Sequence, residues 1–515
     1  INGGTLAPGN SIGVLTVNGS LSFAAASSYM LEISPASADR VNVTGTATLS
    51  GAKVNASFAA GSYVAKQYTI VNAGGGISGT FGSVVNSNLP SGFKSSLSYD
   101  ANNAYLDLAL AFIAPPSTGL NINQANVGDA LVNSFNRNGG IPLIYGGLTA
   151  PGLTQASGEI ATAVRPTMVH AMTQFTTAMV DAAAGDRRRD QTGALPADDA
   201  DLANAYASVP LRGTLGENFG RNAGIAPHAP PFESRWRLWA AGFGGGQTTA
   251  GNPVVGSNTA TSSLFGVAAG AEYRLSPATV AGFALAGGGT NFSVAAGGSG
   301  RTDLFQAGAF IRHMSGPAYV SAAAAYGWQD VTTDRTVTVS GLDRLRARFG
   351  ANSFAGRLEG GSRFGMPWFG GLGLTPYAAA QVTTTRLPFY AETVTTGANS
   401  FALSYLAKTA TAPRTELGVR TDKSFAVNDA LLTLRGRAAW ARDFNPFASA
   451  SASFQALPGT SFVVNGAAGA RDAALTTVSA EMNWLKGVVL AATFEGEFSA
   501  VTRSYAGKSV ASYRW

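Results

Sequence analysis

Between residues 235 and 515 apolar and polar side chains alternate, segment after segment. In the last segment Ala511, Tyr513 and Trp515 fall on one face of a strand, and Lys508, Ser512 and Arg514 on the other. One face suits an apolar medium and the other a wet one, and aromatic residues at the end of the apolar face suit a membrane–water interface. Twelve segments of this kind are readable: 236–246, 262–275, 279–294, 301–315, 317–331, 352–364, 374–387, 414–425, 429–443, 472–485, 488–500 and 507–515. Charges recur in mid-strand on one face. Arg357, Glu359 and Arg363 oppose Phe354, Leu358 and Phe364. Arg435 and Arg437 oppose Leu434 and Trp440, Glu481 opposes Met482, and Glu495 and Glu497 oppose Phe494 and Phe498. In a soluble sandwich the charged face meets solvent; in a membrane barrel it lines a wet lumen.

The connections discriminate between the two. Those after even-numbered strands are mostly short, such as Ser276-Pro277, Ser315-Gly316, 426–428 and Lys486-Gly487, with a longer one near 365–373. Those after odd-numbered strands are mostly long: 247–261, 332–351, 388–413 and 444–471. Short turns on one side and long loops on the other are the outer-membrane pattern, and an even strand count returns both barrel ends to the short-turn side. The expected fold is therefore all-β: an antiparallel twelve-stranded outer-membrane barrel over 235–515.

Upstream the periodicities change. Residues 1–110 hold short β segments such as Ile12–Val17, Tyr29–Ile33, Arg40–Thr44 and Tyr68–Val71, separated by Gly and Asn turns, which suggests stacked β rungs or a sandwich. Residues 111–153, with Pro115-Pro116 and Gly139-Gly140, read as a linker with a short helix near 127–135. Over 154–184, Ile160, Val164, Met168, Met172, Phe175 and Met179 recur at helical spacing, and Pro166 either kinks this helix or begins a second segment. By pattern alone the helix fits either threading a barrel or packing on a soluble core. Residues 185–234 have no apolar period and read as a flexible linker.

Composition narrows the picture further. Of 515 residues only 12% are charged, and no apolar run is long enough for a helical membrane span, which leaves a barrel open. Cys is absent, which suits a chain that crosses an oxidising compartment unfolded. The net charge of +6 is scattered apart from Arg187–Arg189, so nucleic acid is not an expected partner. The chain opens at Ile1 without a charged or apolar leader, which reads as a processed or truncated chain.

Several stretches resemble the bacterial autotransporters of type V secretion. Gly3–Gly19 and Asp39–Gly45 look like the passenger-associated transport repeat. Thr80-Phe81, Leu97–Asp100 and Tyr105–Leu108 are similar to the closing rungs of a passenger β-helix. Leu153, Ser157–Glu159, Phe175 and Met179 resemble the helix that occupies the pore; Arg237–Phe243, Gly266–Tyr273, Phe454–Phe462 and terminal Trp515 look like the β-domain. The resemblance implies a Gram-negative outer-membrane translocator that anchors and helps export its own passenger to the cell surface. It also implies outer-membrane lipid, the barrel-assembly machinery and periplasmic chaperones as partners, a monomeric state, and Tyr513 and Trp515 as an assembly signal. The alternative is a soluble adhesin-like β-helix followed by a sandwich; a constitutive porin conflicts with a helix in the lumen.

No catalytic, cofactor-binding or metal-binding residue is expected. Gly9-Asn-Ser-Ile-Gly13 matches a nucleophile elbow, but a β segment follows it, and His170, His228 and His313 lie far away in other elements. Those histidines are too few and too scattered for a metal cluster. Glu481, Glu495 and Glu497 are explained by ion pairing in the lumen. Asn133, Asn136 and Asn138 lie near the region where some autotransporters cut themselves, without the paired-Asn motif of those members.

Overall fold

A computed structural model describes residues 1–9, 11–61, 63–90, 93–110, 119–138, 141–146, 148–184, 235–339, 341–484 and 487–514. The linker expected at 185–234, and Trp515, lie outside these residues. Twelve strands, β1 to β12, form a closed antiparallel ring. They are Trp236–Thr249, Ala260–Ser276, Thr279–Val294, Gly298–Ser315, Ala318–Val337, Asp343–Ser362, Leu372–Leu387, Lys408–Val427, Ala430–Asp443, Asp472–Trp484, Val488–Phe498 and Thr502–Arg514. Each pairs with its sequence neighbour, and the ring closes where Arg237–Thr249 of β1 run against Thr502–Arg514 of β12. Closure leaves no sandwich, so the sandwich expected in the alternative reading is corrected to a closed barrel.

The period-two pattern sets which face each side chain takes. Leu238, Val267, Phe283, Leu285, Val320, Leu358, Val382, Leu417, Val478 and Leu490 point outward and are exposed, while their polar neighbours turn in. A continuous exposed apolar belt is a face made for lipid. At one end strands join through tight turns at 277–278, 316–317 and 428–429; in the last, Asn428 takes φ +51°, a conformation that Asn tolerates. The longer connection at 363–371 also lies at this end.

The opposite end departs from expectation in three ways. The stretch 332–351 is not a loop: β5 and β6 continue through it as a hairpin, because Leu345, Ala347 and Phe349 alternate with Arg344, Arg346 and Arg348. The connections over 388–413 and 444–471 carry short strands, Tyr390–Ala391, Leu403–Tyr405, Ser449–Phe454 and Ser461–Asn465, that make a four-stranded sheet above the ring. Nor is 119–153 merely a linker with one short helix near 127–135, although a helix does cover those residues. It folds as α1 (Ile122–Asn138), a single turn at Leu143–Gly146 and α2 (Ala150–Ala156). Val127, Leu131, Tyr145 and Leu153 pack there against Leu403, Phe454 and Phe462 of the sheet, Phe401 just before it, and Val337 and Leu345 of the hairpin. We call this assembly the cap. Its edge strand Ser461–Asn465 is covered by α1, whose Asn126 donates to Val463 O at 2.8 Å and whose Asn123 exchanges bonds with the Asn465 backbone at 2.7 and 2.8 Å.

The helix expected over 154–184 is divided. α2 ends at Ala156, Gly158 turns through a left-handed φ of +69°, and a 3₁₀ turn at Glu159–Ala163 leads into α3 (Val164–Ala184). Pro166 sits in the first turn of α3, where its missing N–H is not needed, so it starts the helix rather than kinking it.

Residues 1–110 form a separate three-faced parallel β-solenoid. One face stacks Gly4–Leu6, Ser27–Ile33, Lys53–Phe58 and Val84–Ser87, and another stacks Val14–Val17, Arg40–Val43 and Lys66–Ala73. The antiparallel pair Phe93–Tyr99 and Asn103–Leu110 closes the stack. Tyr29, Leu31, Val54, Ile70, Phe81 and Leu106 fill the interior.

Candidate functional site

α3 occupies the barrel lumen. Its 21 residues extend about 32 Å at 1.5 Å per residue, enough to traverse a bilayer-high barrel. The helix is amphipathic in an unusual surrounding: the two halves of the barrel wall differ. On β1 to β6 the inward positions that meet α3 include Trp239, Phe243, Leu264, Leu304 and Phe310, with Ala at 241, 268, 284, 286, 323, 325 and 355. Met172, Phe175, Met179 and Val180 of α3 pack against them as a dry core. Gly308 and Gly327 make room for the two methionines, since a Cβ at either would come within 2.6–2.8 Å of them. On this side the helix, not water, packs against an apolar patch, while Arg237, Glu272 and Arg312 also turn inward on β1, β2 and β4.

The other half, from β6 through β12, carries charge. Glu359 accepts from Arg357 at 3.0 Å, from Arg420 and from the Tyr319 hydroxyl at 2.8 Å. Arg357 also reaches Glu416 at 2.8 Å, and Arg414 reaches Glu497 at 2.8 Å and Asp443 at 3.3 Å. Arg435 pairs with Glu481 at 3.1 Å and Arg363 with Asp422 at 3.0 Å, while Arg437 donates to Thr477 at 3.0 Å. Glu495 lies 3.9 Å from Lys508. The eight charged residues assigned to the lumen are therefore placed among these contacts. Those that sequence reading passed over are Arg237, Glu272, Arg312, Arg414, Glu416 and Arg420. For the last three a signal exists, since Arg414, Glu416 and Arg420 alternate with Thr415, Leu417 and Val419. Removing one partner from such a pair leaves an uncompensated charge, which costs far more than the pair itself contributes.

Both ends of α3 are held. Where the chain enters, Arg165 donates to the carbonyls of Asn445, at 3.1 Å, and Phe447. Where it leaves, Lys508 pairs with Asp181 at 2.6 Å and Arg237 donates to Ala182 O at 2.8 Å. Midway, Gln381 donates to Thr173 at 2.9 Å. Between the lower helix and the charged wall a slot of about 100 Å³ remains, lined by Asp181, Arg420, Arg435, Arg437, Glu481 and Lys508, among others.

Above the helix lies the cap, with its own buried polar contacts. Arg335 and Glu392, each 2% exposed, pair at 2.7 Å, and the Tyr405 hydroxyl donates to Glu392 at 3.0 Å. Glu159 accepts from the Asn258 backbone and side chain, both at 2.6 Å. Burial holds the Glu159 carboxyl above the ordinary carboxylate range, against the lowering by those two bonds.

The serine of the Gly9–Gly13 motif and the described histidines are not brought together. Ser11 and Gly13 lie at a solenoid turn, where Gly13 N donates to Asp39 at 2.8 Å. His170 is on α3, His313 on the outer face of β4, and His228 outside the described residues. Among the described residues no His, Cys, Asp or Glu cluster would hold a metal ion. Asn133 and Asn138 are exposed on α1 in the cap, not within the lumen.

A family model described as the autotransporter beta-domain matches residues 238–495. The chain belongs to the autotransporter family. Its barrel is an autotransporter β-domain, an outer-membrane translocator barrel. Among the described residues no helix is long and apolar enough to cross a membrane, and this family crosses with strands. Solved structures similar to the chain include the translocator domain of the autotransporter NalP from Neisseria meningitidis (15% identity, 55% of this chain and 90% of that one, TM-score 0.44). Others are the β-domain of the Bordetella autotransporter BrkA (17% identity, 54% and 99%, TM-score 0.41) and the transport unit of AIDA-I from Escherichia coli (11% identity, 57% and 94%, TM-score 0.35). Membership rests on the β-domain match rather than on these likenesses. No curated protein matches the chain.

Proposed function

We propose that this autotransporter chain exports and anchors its own N-terminal segment, with the solenoid of residues 1–110 as a surface passenger, and that it catalyses no reaction of its own. The course of the chain carries the reading. Ile122 and Asn123 bond to Val254 and Val255 in the connection after β1, at the long-connection end, and α3 then descends to Lys508 and Arg237 near the short-turn end. In outer-membrane barrels short turns face the periplasm, so everything before residue 119 departs on the external side. The self-paired charges of β6 to β12 support it too, because a wall whose ions already satisfy one another offers few sites to hold a passing chain. Tyr513, outward on β12 beside Leu238 of β1, suits a terminal signal read by the barrel-assembly machinery, and a single ring holding its own helix suits a monomer.

The test is proteolysis of intact cells expressing the full chain. External protease is expected to remove the solenoid and leave a membrane-bound, heat-modifiable barrel fragment. A solenoid protected until the cells are lysed would refute export.

A further inference from the structure

The outer surface of the barrel is not uniform above its lipid belt. On β5 the outward positions run Val320, Ala322, Ala324, Tyr326, Trp328 and then turn polar at Asp330. From residue 318 to 328 the strand has the length that crosses a hydrocarbon layer at a barrel tilt. Phe305 on β4 pairs across from Trp328, and Phe354 on β6 from Tyr326; all four rings are exposed and mark the upper interface. Immediately beyond them, on the same outward faces, stand Arg301 of β4, Arg344, Arg346 and Arg348 of β6 and Arg386 of β7.

Three carboxylates share this surface: Asp303, Asp330 and Asp334. Arg346 pairs with Asp334 at 2.7 Å and Arg348 with Asp330 at 2.5 Å. Arg301, Arg344 and Arg386 make no ion pair among the described residues; Arg386 lies over the Phe354 ring at 5.2 Å. Five guanidinium groups against three carboxylates leave a local surplus of two positive charges. Strands β1 to β3 show no such surplus, whereas on the far side Arg442 of β9, paired with Asp472, and Arg503 of β12 also stand outward. At comparable outward positions β1 to β3 carry Gly246, Thr248, Thr261, Ser263, Asn291 and Ser293.

We infer that the outward face of β4 to β7 above the aromatic rings binds the phosphate groups of a lipid in the external leaflet, a phosphorylated glycolipid of lipid A type. Three features of the surface fit that occupant. Guanidinium groups are planar forks matched to phosphate oxygens. They stand where a headgroup stands when its acyl chains lie along Val320, Tyr326, Phe305 and Phe354. They are also held in place, because Leu345, Ala347 and Phe349, the inward partners of the three β6 arginines, are buried against the cap. A soluble polyanion has no use for the adjoining apolar wall, whereas a lipid uses both parts.

The test uses the full chain, purified in detergent, and measures equilibrium binding and thermal midpoint with lipid A, dephosphorylated lipid A and inorganic phosphate. Lipid A is expected to raise the midpoint and to bind on the order of tenfold or more above its dephosphorylated form. The triple variant R301Q/R344Q/R386Q, which removes no ion pair, is expected to weaken lipid A binding by a similar factor while heat modifiability is kept; R503Q on β12 is expected to leave it unchanged. Equal binding of the two lipid forms, an unaltered triple variant, or the same midpoint shift with inorganic phosphate alone would overturn the inference. If the triple variant fails to fold, the comparison of the two lipids on the wild-type chain still decides. None of these readouts depends on export, so failure here and failure of the export proposal are separable.

Discussion

Gly158 is the residue on which the cap and the lumen helix meet. Its φ of +69° is strained for any side chain, and a Cβ there would sit 2.5 Å from Leu403 Cδ1 and closer still to the Tyr405 hydroxyl. Gly158→Ala is therefore expected to destabilise the cap by about 2 kcal/mol or more, read as earlier proteolysis of 119–158 while the β-barrel still migrates as folded. Its neighbour Glu159 gives a pH dependence of definite sign. Burial raises its pKa in the folded protein, so the native state binds more protons than the unfolded chain above the ordinary range of about 4.3. Its contribution is fully present below that value and lost as pH rises through the raised one. Cap stability is expected to fall as pH rises above the ordinary carboxylate range, by this group's share, and Glu159→Gln to flatten the slope of the midpoint against pH. Neither residue announces this role in the sequence: Ser157–Glu159 figures there only in the resemblance, and Glu159 bonds to Asn258, 99 residues away.

Among elements, α3 and its seat show how the two halves of the lumen divide labour. Gly308 and Gly327 exist as gaps for Met179 and Met172. Gly308→Val is expected to push the helix off its wall at a cost of about 1–3 kcal/mol and to raise the conductance of the protein in planar bilayers above that of the wild type; unchanged conductance would mean that the seat is not what retains the helix. Strands were the legible part of this protein. Alternation located all twelve, and the even parity of short turns gave their direction. What stayed hidden had physical reasons. Arg344, Arg346 and Arg348 made a strand look like a loop because charge masks alternation when the outward face is in water rather than lipid. The apolar inner wall of β1 to β6 looked like ordinary small residues, since Ala and Gly carry little pattern on either face.

At the scale of the whole molecule, the cap covers the long-connection end of a barrel that already holds a helix. Deleting 119–158 while keeping α3 is expected to leave the barrel folded and to raise its conductance, with the remaining slot along β8 to β12 as the path. A conductance no higher than that of the full chain would assign the seal to α3 alone. The cap was the part least legible from sequence. Its segment is rich in Asn and Gly and carries a Pro-containing approach, and its stabilising partners lie very far along the chain; Asn123 and Asn465 are 342 residues apart. Local propensity cannot report contacts of that separation.

The descent of α3 through a ring whose closing strand is the last one in the chain has a further consequence. Chain and ring form an interlocked object, with a thread that emerges from one side of a hoop made of the same molecule. On the export reading, the folded cap and the folded solenoid act as stoppers on that thread. Retention then does not depend on how tightly α3 binds. Withdrawal requires a stopper to unfold first, so the lifetime of the anchored state is set by the unfolding rate of the cap and solenoid, and a weakened helix seat would loosen the thread without freeing it.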